Sequence, residues 1–489
     1  MVGKVFLAFG DGTKDLETTI CLILPENFNL NCLDRNEEMF INDNPDSIEK
    51  HILLGRKRES TIIHESQNFW QALVSCKILI VIFILTLILP TYTSFAIGSM
   101  RFNPYRMFLI ATMIPSMLSV FSRGGGVLLA DFLLVAGTIW AVATLFIHHG
   151  VGDGLESGGI FLVESLGSYL FGRAVVVNKR DYESLVALMT ALVIVLLPFT
   201  LGEAFTRMNF FGQPLLNTDM RLGLYRARGP FDHPIILGVF CASTFGMSWF
   251  CFPRSESPIT GARCLRSCAI FFATLTSVSS GPLTAIILQT ILVVWCYLTS
   301  KIRHRWRLFS WILLCVYIAI DLFSNRTPMR VFLTYLTFSS TTAYNRLTIW
   351  DWGFYKNVLI HPIAGIGFRE WIRPDWMHST SMDNFWLVLM VRHGLPCFLL
   401  IGAAGLYLLV VGARSAGGAD IGVLQKGWVI TIVGLSVAAS TVHLWNAMFV
   451  GFFFLLGAGG WFCNIVPPRL ERGSLVTENV WMVKERRDG

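Results

Sequence analysis

Hydrophobic runs long enough to cross a bilayer recur along most of this chain, and they constrain its fold more than any other feature. A helix that crosses a membrane needs about 20 mainly apolar residues. Such spans are predicted at 76–97, 105–121, 126–148, 158–177, 183–203, 233–252, 267–280, 282–300, 308–324, 385–412, 427–442 and 444–463. Because backbone groups must pair with one another inside hydrocarbon, these spans are expected to be helical. The sequence therefore predicts an all-α, polytopic integral membrane protein with about twelve transmembrane helices.

Composition supports this class and excludes others. Of the 489 residues, 54% are hydrophobic and 15% are charged, whereas soluble domains carry about 25% charged residues. The net charge of +7 is modest and no basic tract accompanies it, so nucleic acid is excluded as a partner. Eleven cysteines lie mostly in or beside hydrophobic runs, with Cys264 and Cys268 as a lone pair. Neither a disulfide framework nor a metal site is predicted, and no cofactor is expected.

Three segments divide the chain. Residues 1–70 mix short apolar runs with charge clusters and lack the features of a secretory signal, so they form a predicted cytoplasmic extension. Residues 71–465 form the predicted membrane domain, and residues 466–489 form a predicted cytoplasmic tail.

Basic residues in short loops set the predicted orientation. They form three clusters, and two predicted crossings separate each cluster from the next, so all three share one side. Because lysine and arginine are enriched in cytoplasmic loops, both termini are predicted to be cytoplasmic and the segments 204–232 and 325–384 to be external. The clusters are Lys179 and Arg180; Arg254, Arg263 and Arg266; and Lys301, Arg303, Arg305 and Arg307.

Both predicted external loops carry arginines, against the usual charge bias. The planar guanidinium group gives paired, charge-assisted hydrogen bonds to phosphate, and concentration in two loops favours one shared anionic ligand. Contact with phospholipid headgroups and surface salt bridges are the alternatives for any single arginine. The arginines are Arg221, Arg226 and Arg228 in the first loop, and Arg326, Arg330, Arg346, Arg369 and Arg373 in the second.

Local patterns place some of these arginines near the membrane face. Gly229 and Pro230 predict a tight turn next to Arg226 and Arg228, at the entrance of the next span; a plain basic turn is the alternative. Residues 344–361 predict an amphipathic helix that lies at the external interface and carries Arg346, with an ordinary packing helix as the alternative. Its apolar face comprises Leu347, Trp350, Phe354 and Val358.

Several short motifs, in this order, resemble the O-antigen ligase and polymerase superfamily, most of all the Wzy-type exopolysaccharide polymerases. The likeness covers roughly residues 220–400. The motifs are Arg228-Gly229-Pro230-x-x-His233-Pro234-x-x-x-Gly238, Ser280-Gly281-Pro282, Asn345-Arg346-x-x-x-Trp350, His361-Pro362-x-x-Gly365-x-Gly367, and Asp383-Asn384-x-x-Leu387 followed by Gly394.

The resemblance implies a metal-independent, inverting glycosyltransferase at the outer face of the bacterial inner membrane. Its donor would be an undecaprenyl-pyrophosphate-linked glycan and its acceptor another lipid-linked glycan. Arg226 or Arg228, together with Arg346, would bind the pyrophosphate. A late external histidine, which maps best to His378, would activate the acceptor hydroxyl, and the carboxylate of Asp383 would orient it.

Several assignments stay open at this point. Where the family has His-Asn-x-x-Leu, this chain has Asp383-Asn384-x-x-Leu387. Asp383 is an alternative cap for a helix that begins at Asn384. His361 and His393 are rivals of His378 as the base. The secondary site candidates are His233, His361, Arg369 and Asn384.

Two other functions compete with a polymerase. A ligase of the same mechanism would transfer finished glycan to lipid A or another acceptor. A transporter or flippase of lipid-linked glycan would show internal repeats and ionisable residues near the midplane, and the sequence shows no convincing repeat. Besides donor, acceptor and membrane lipid, a chain-length regulator and export proteins are candidate partners.

Overall fold

Helices dominate the structure, as predicted. Among the described residues, eight helices are long and apolar enough to cross a membrane, or nine if the bent pair Asn68–Val74 and Ile78–Ile88 forms one span. The protein is therefore a multi-pass membrane protein, while the predicted number of twelve crossings stays a prediction. The computed structural model describes residues 68–97, 100–123, 126–212, 220–252, 260–328, 330–331, 340–414 and 418–465.

The predicted cytoplasmic extension, residues 1–70, lies outside the described residues up to residue 67, and the predicted tail, residues 466–489, lies wholly outside them. All described residues belong to one compact unit, Ile62–Gly489.

Thirteen α-helices of eight residues or more and one β-hairpin are numbered here within the described chain. The helices are α1 (Ile78–Ile88), α2 (Pro104–Ser122), α3 (Leu129–Leu162), α4 (Ser168–Val175), α5 (Lys179–Thr206), α6 (Pro234–Cys251), α7 (Gly261–Thr276), α8 (Ser280–Leu298), α9 (Arg305–Phe323), α10 (Ser340–Gly353), α11 (Phe385–Arg414), α12 (Ala419–Ala439) and α13 (Ala447–Cys463). The antiparallel strands are β1 (Phe95–Ile97) and β2 (Met100–Phe102). Two π-helical turns occur, at Val163–Gly167 and Phe354–Val358.

The first predicted span, 76–97, is shorter than expected. Helix α1 ends at Ile88, because the residue before a proline disfavours helical geometry and Pro90 follows directly after Leu89. The rest of the predicted span forms a short 3₁₀ turn and strand β1. Phe95 stacks there on Phe102 of β2, with ring centroids 5.7 Å apart.

Helix α3 folds back on itself at Gly150. This glycine has φ 71°, a conformation that costs other residues free energy. A Cβ built on Gly158 would lie 3.1 Å from Val142 Cγ1, so the two arms pack closely and run antiparallel. The arms correspond to the two separate spans predicted at 126–148 and 158–177.

Polar residues inside the second arm and in α4 are paired. Arg106 Nε lies 2.7 Å from Glu164 Oε1, and Arg173 Nη2 lies 3.1 Å from the fully buried Asp131. Buried charges are retained in a membrane protein when they are paired. These acids therefore hold helices together.

Helices α6, α8 and α12 pack around one buried glutamine. Gln289 Oε1 accepts a hydrogen bond from Gly246 N at 2.9 Å, and its Nε2 donates to Ala242 O at 2.9 Å. A side chain on Gly434 of α12 would collide with the same glutamine. This packing brings the start of α6, the start of α8 and the end of α12 to one end of the bundle.

Helix α10 and the π-helical turn after it occupy most of the predicted segment 344–361, while its amphipathic character and its place at an external interface stay predictions. The turn ends at Val358, ahead of Pro362. The buried side chains of Ile349 and Val358 pack with Leu387 and Val388 of α11. Helix α11 itself breaks at Gly394, where φ is 79°.

Candidate functional site

A polar cavity of about 450 Å³ lies at the end of the bundle where α6 and α8 begin and α12 ends. The segment before α6, helix α10, the segment before α11 and the loop between α12 and α13 also contribute to its wall. The lining residues are Arg221, Arg226, His233, Ile235, Ser279, Ser280, Gly281, Arg346, Ser381, Asp383, Val442, His443 and Trp445. Both predicted external loops therefore meet in one cavity.

Two of the predicted phosphate-binding arginines are anchored on consecutive serines. Arg226 Nη2 donates to Ser279 Oγ at 2.8 Å, and Arg346 Nη2 donates to Ser280 Oγ at 2.9 Å. Because consecutive Cα atoms are about 3.8 Å apart, these hydrogen bonds hold both guanidinium groups at one place in the wall.

The same serines mark the beginning of helix α8. Ser279 is its N-cap and makes no side-chain capping bond. The first N–H groups of a helix lack intrahelical partners, and the helix dipole favours negative charge there. The start of α8 and the two arginines thus attract an anion to the same point.

Arg346 retains donors for such an anion. The residue is only 9% exposed, and its Nε and Nη1 atoms are buried with no hydrogen-bond partner among the described residues. Burial lowers the pKa of Arg346, the negative charge of Asp383 raises it, and Arg221 lowers it further. A buried guanidinium group with two unmet donors is costly unless a ligand satisfies them.

The loop that carries Arg226 is fixed from both sides. Ala227 N donates to Thr276 O at 2.9 Å, and Gly229 N donates to Glu203 Oε2 at 2.8 Å. Gly229 has φ 56°, which confirms the tight turn expected at this glycine. Arg228 is buried, and Glu203 and Asp232 act on its charge. It does not line the cavity, so it supports the turn.

The structure shows which of Asp383 and Asn384 caps helix α11 and which lines the cavity. Asn384 Oδ1 accepts a hydrogen bond from Leu387 N at 3.1 Å, so Asn384 caps helix α11. Asp383 instead lines the cavity and accepts a hydrogen bond from Ser381 Oγ at 2.9 Å. Its carboxylate is therefore available beside the two arginines.

Two histidines line the cavity. His233 Nδ1 accepts from Ile235 N at 3.2 Å, so the neutral ring carries its proton on Nε2, which can donate to a ligand. His443 Nδ1 is buried with no partner among the described residues. Burial lowers the pKa of His233 to about 4, with help from Arg226, Arg228 and Arg221. Burial and Arg392 lower the pKa of His443 to about 3.

The loop between α12 and α13 holds His443 in place by close packing on the start of α8. A side chain on Gly281 would overlap Val442, so only glycine allows this approach. The ring of Trp445 lies between the two histidines, with centroids 5.5 Å from His233 and 6.1 Å from His443.

Besides Arg228 and Asn384, three further predicted site residues lie elsewhere. His361, Arg369 and His378 are exposed and do not line the cavity, and no hydrogen bond joins His378 to Asp383 in the described structure. A catalytic role for His378 stays a prediction.

Sequence reasoning missed His443 and Trp445. His443 lies between the spans predicted at 427–442 and 444–463, and Trp445 lies at the start of the second span. Both were therefore taken as parts of membrane-crossing segments. A histidine in the short loop between these two predicted spans was the signal that could have found them.

An apolar slot adjoins the cavity within the helix bundle. Val442 lines both spaces, and the slot continues between helices α1, α5, α6, α12 and α13. Its wall includes Leu87, Met189, Phe240 and Phe452. The volume of the slot is about 40 Å³, so its side chains must move apart before a long apolar tail can enter.

No group of three or more His, Cys, Asp and Glu side chains among the described residues is arranged to hold a metal ion. No protein-family model matches this chain, and no curated protein matches it.

Proposed function

We propose that this protein is a membrane glycosyltransferase that polymerises undecaprenyl-pyrophosphate-linked oligosaccharide repeats in exopolysaccharide or O-antigen synthesis. The observation that carries the proposal is the convergence of Arg226 and Arg346 on the start of helix α8, with two donors of Arg346 unmet. Donors of this kind suit a pyrophosphate group. The adjoining slot is apolar like the isoprenoid tail, which would have to widen it.

The reaction follows from these groups. The acceptor hydroxyl oxygen attacks the anomeric carbon of the donor sugar, and the bond from that carbon to the pyrophosphate oxygen breaks with inversion. Arg226 and Arg346 stabilise the charge that develops on the leaving undecaprenyl pyrophosphate, without a requirement for a metal. The acceptor's proton passes to a base in the cavity.

His443 is the proposed base, and Asp383 would orient the acceptor hydroxyl. A neutral histidine offers one nitrogen lone pair, and His443 Nδ1 has no partner in the part of the chain that the structure describes. The negative charge of a bound pyrophosphate raises a neighbouring histidine's pKa, which brings it nearer to the working pH.

The proposed setting is the bacterial inner membrane, with the cavity at the outer face and both termini in the cytoplasm. Twelve crossings fit the described helices if the two arms of α3 are separate spans, α4 extends the second arm, and α1, α7 and α13 also cross. The positive-inside rule then places the basic loops opposite the cavity.

A ligase is the second candidate, because the same cavity serves transfer to lipid A or another acceptor. A deletion strain separates the two. Export of single repeats without polymer indicates a polymerase, whereas accumulation of long lipid-linked chains indicates a ligase. A flippase is the third candidate, and transport of lipid-linked glycan in protein-containing vesicles without change in glycan length would favour it.

The test of the chemistry uses purified protein in liposomes with the lipid-linked repeat as donor and acceptor, in EDTA. Longer glycan and free undecaprenyl pyrophosphate should appear together. His443→Ala should lower kcat by at least about 100-fold, as expected for loss of a general base. Full activity of His443→Ala with loss of activity in His378→Ala would return the base to His378. An absolute requirement for a divalent metal would contradict the mechanism.

A further inference from the structure

Helix α10 lines two spaces, on different faces. Arg346 lines the polar cavity at the start of helix α8, which is called the arginine cavity from here on. Tyr344, Thr348 and Asp351, which are spaced four and three residues apart, instead line a second cleft of about 540 Å³. The wall of this second cleft is completed mainly by Arg326, Arg330, Trp352, Pro374 and Trp376. The two spaces share no lining residue, so the cleft is not an extension of the cavity.

Aromatic rings form the apolar part of this cleft. The rings of Tyr344 and Trp376 stack with centroids 5.7 Å apart and an interplanar angle of 28°. Tyr344 is 59% exposed and Trp376 is 50% exposed, so much of this paired surface remains open to a ligand. Large exposed aromatic side chains that meet in a concave site are typical of recognition surfaces.

Charged groups form the polar part. Asp351 provides carboxylate acceptors, and Arg326 and Arg330 provide guanidinium donors. A sugar ring has an apolar C–H face, which packs on an aromatic ring, and a rim of hydroxyl groups, which donate to carboxylates and accept from guanidinium groups. The aromatic part of the cleft therefore suits the C–H face of a sugar ring, and the charged part suits its hydroxyl groups.

A phospholipid headgroup fits this cleft less well. Aromatic residues do mark membrane interfaces, but Asp351 adds an acceptor that a phosphate group cannot use, whereas the hydroxyl groups of a sugar can donate to it. The cleft is also concave and polar on one side, whereas a lipid-facing belt is apolar and convex.

We propose that this cleft binds saccharide units of the glycan during elongation, on the far side of helix α10 from the reacting groups. This inference rests on the proposed function and deepens it. A polymer anchored at a second point stays with the enzyme between additions, so the cleft would increase the number of repeats added before release.

The test measures binding and elongation separately. Oligosaccharides of one to six repeats, prepared by partial acid hydrolysis of the producing cell's polymer, are titrated against the full-length protein in nanodiscs, with tryptophan fluorescence and calorimetry as readouts. Trp376→Ala should weaken binding of the longer oligosaccharides about tenfold, from loss of one aromatic contact. Asp351→Asn should weaken it as well. Trp311→Ala, which removes an exposed tryptophan on α9, is the matched control and should bind normally.

Elongation assays in liposomes supply the second readout. Trp376→Ala should shorten the polymer and raise KM more for acceptors of several repeats than for single repeats, and Trp376→Phe should restore much of the loss. Unchanged binding and unchanged polymer length in Trp376→Ala would overturn the inference. So would tighter association of the cleft with phospholipid vesicles than with saccharide, if Trp376→Ala removed that association.

The outcomes also separate the two proposals. If wild-type protein elongates glycan and Trp376→Ala changes neither binding nor length, the cleft proposal fails and the proposed function stands. If saccharide binds at Trp376 but no glycosyl transfer occurs, the cleft stands as a saccharide site and the proposed function fails.

Discussion

Replacing Arg346 with methionine should stabilise the unliganded protein and abolish pyrophosphate binding. Methionine keeps an unbranched side chain that fills a similar space and removes the charge. If Arg346 serves only to hold the fold, its removal should instead destabilise the protein. The sign of the stability change therefore separates a ligand-binding arginine from a structural one.

The magnitude follows from the hydrogen bonds of Arg346. Each buried donor without a partner costs about 1–3 kcal/mol, and Arg346 has two, Nε and Nη1. Methionine relieves both but loses the bond to Ser280 Oγ, a charged hydrogen bond that contributes about 1.5–3 kcal/mol. At mid-range values, about 4 kcal/mol is relieved and about 2 kcal/mol is lost, so a net gain of about 2 kcal/mol in unfolding free energy is expected without ligand. Two charged bonds to ligand are lost, so pyrophosphate affinity should fall about 10²–10⁴-fold.

The assay is thermal unfolding of detergent-purified protein, followed by size-exclusion fluorescence, with and without inorganic pyrophosphate. Wild-type Tm should rise with pyrophosphate, because a ligand that binds only the folded state stabilises it. Arg346→Met should start from a higher Tm and should not respond. Arg307→Met, which replaces an exposed arginine on α9, is the control and should respond like wild type. A lower Tm for Arg346→Met with a preserved pyrophosphate response would refute the reasoning.

Three further predictions follow from the cavity and its support. Gly281→Ala should lower glycosyl transfer at least about tenfold, because its side chain overlaps Val442 and displaces the loop of His443. Adding Val442→Ala should restore part of the rate, and no recovery would contradict the steric cause. The pKa values of His233 and His443, about 4 and about 3, lie below the ordinary value of 6.5. The unfolded chain therefore binds more protons between pH 6.5 and 4, and unliganded stability should fall as the pH is lowered through 6.5. Bound pyrophosphate raises both pKa values, so calorimetry at pH 5 in two buffers of different ionisation enthalpy should detect proton uptake; zero uptake would contradict the placement of the anion. Asp131→Asn should destabilise the protein by about 3–5 kcal/mol, because its buried arginine partner loses its counter-charge. Neutralising that arginine as well should recover yield and Tm, and an unchanged Tm in the single variant would contradict this account.

Much of the fold could be predicted because span length and hydropathy depend on local sequence. The predicted spans overlap the described helices α1 to α9 and α11 to α13, and the arms of α3 were predicted as separate spans because polar residues interrupt the run between them. The early end of helix α1 could also have been predicted, because Pro90 lies within the predicted span 76–97. The pairing of Asp131 with Arg173 was not readable, because it depends on how the arms of α3 and helix α4 fold back in space.

The site was predictable to the extent that it rests on residue type. Arginines are unusual in external loops, so Arg226 and Arg346 could be selected from sequence, and both line the cavity. Arg228 has the same chemistry but turns inward beside Glu203, which only the loop geometry reveals. His443 was missed because spacing along the chain does not report distance across the bundle. The cap at Asn384 likewise depends on where helix α11 begins, which sequence places only to within a residue or two.

The most direct measurement is the structure of the protein in a lipid nanodisc with an undecaprenyl pyrophosphate lipid bound, by electron cryomicroscopy. The account predicts pyrophosphate density between the guanidinium groups of Arg226 and Arg346, at the start of helix α8, with the isoprenoid tail entering the slot beyond Val442. Pyrophosphate density at the basic loops of the opposite end, with the arginine cavity free of it, would contradict the central claim.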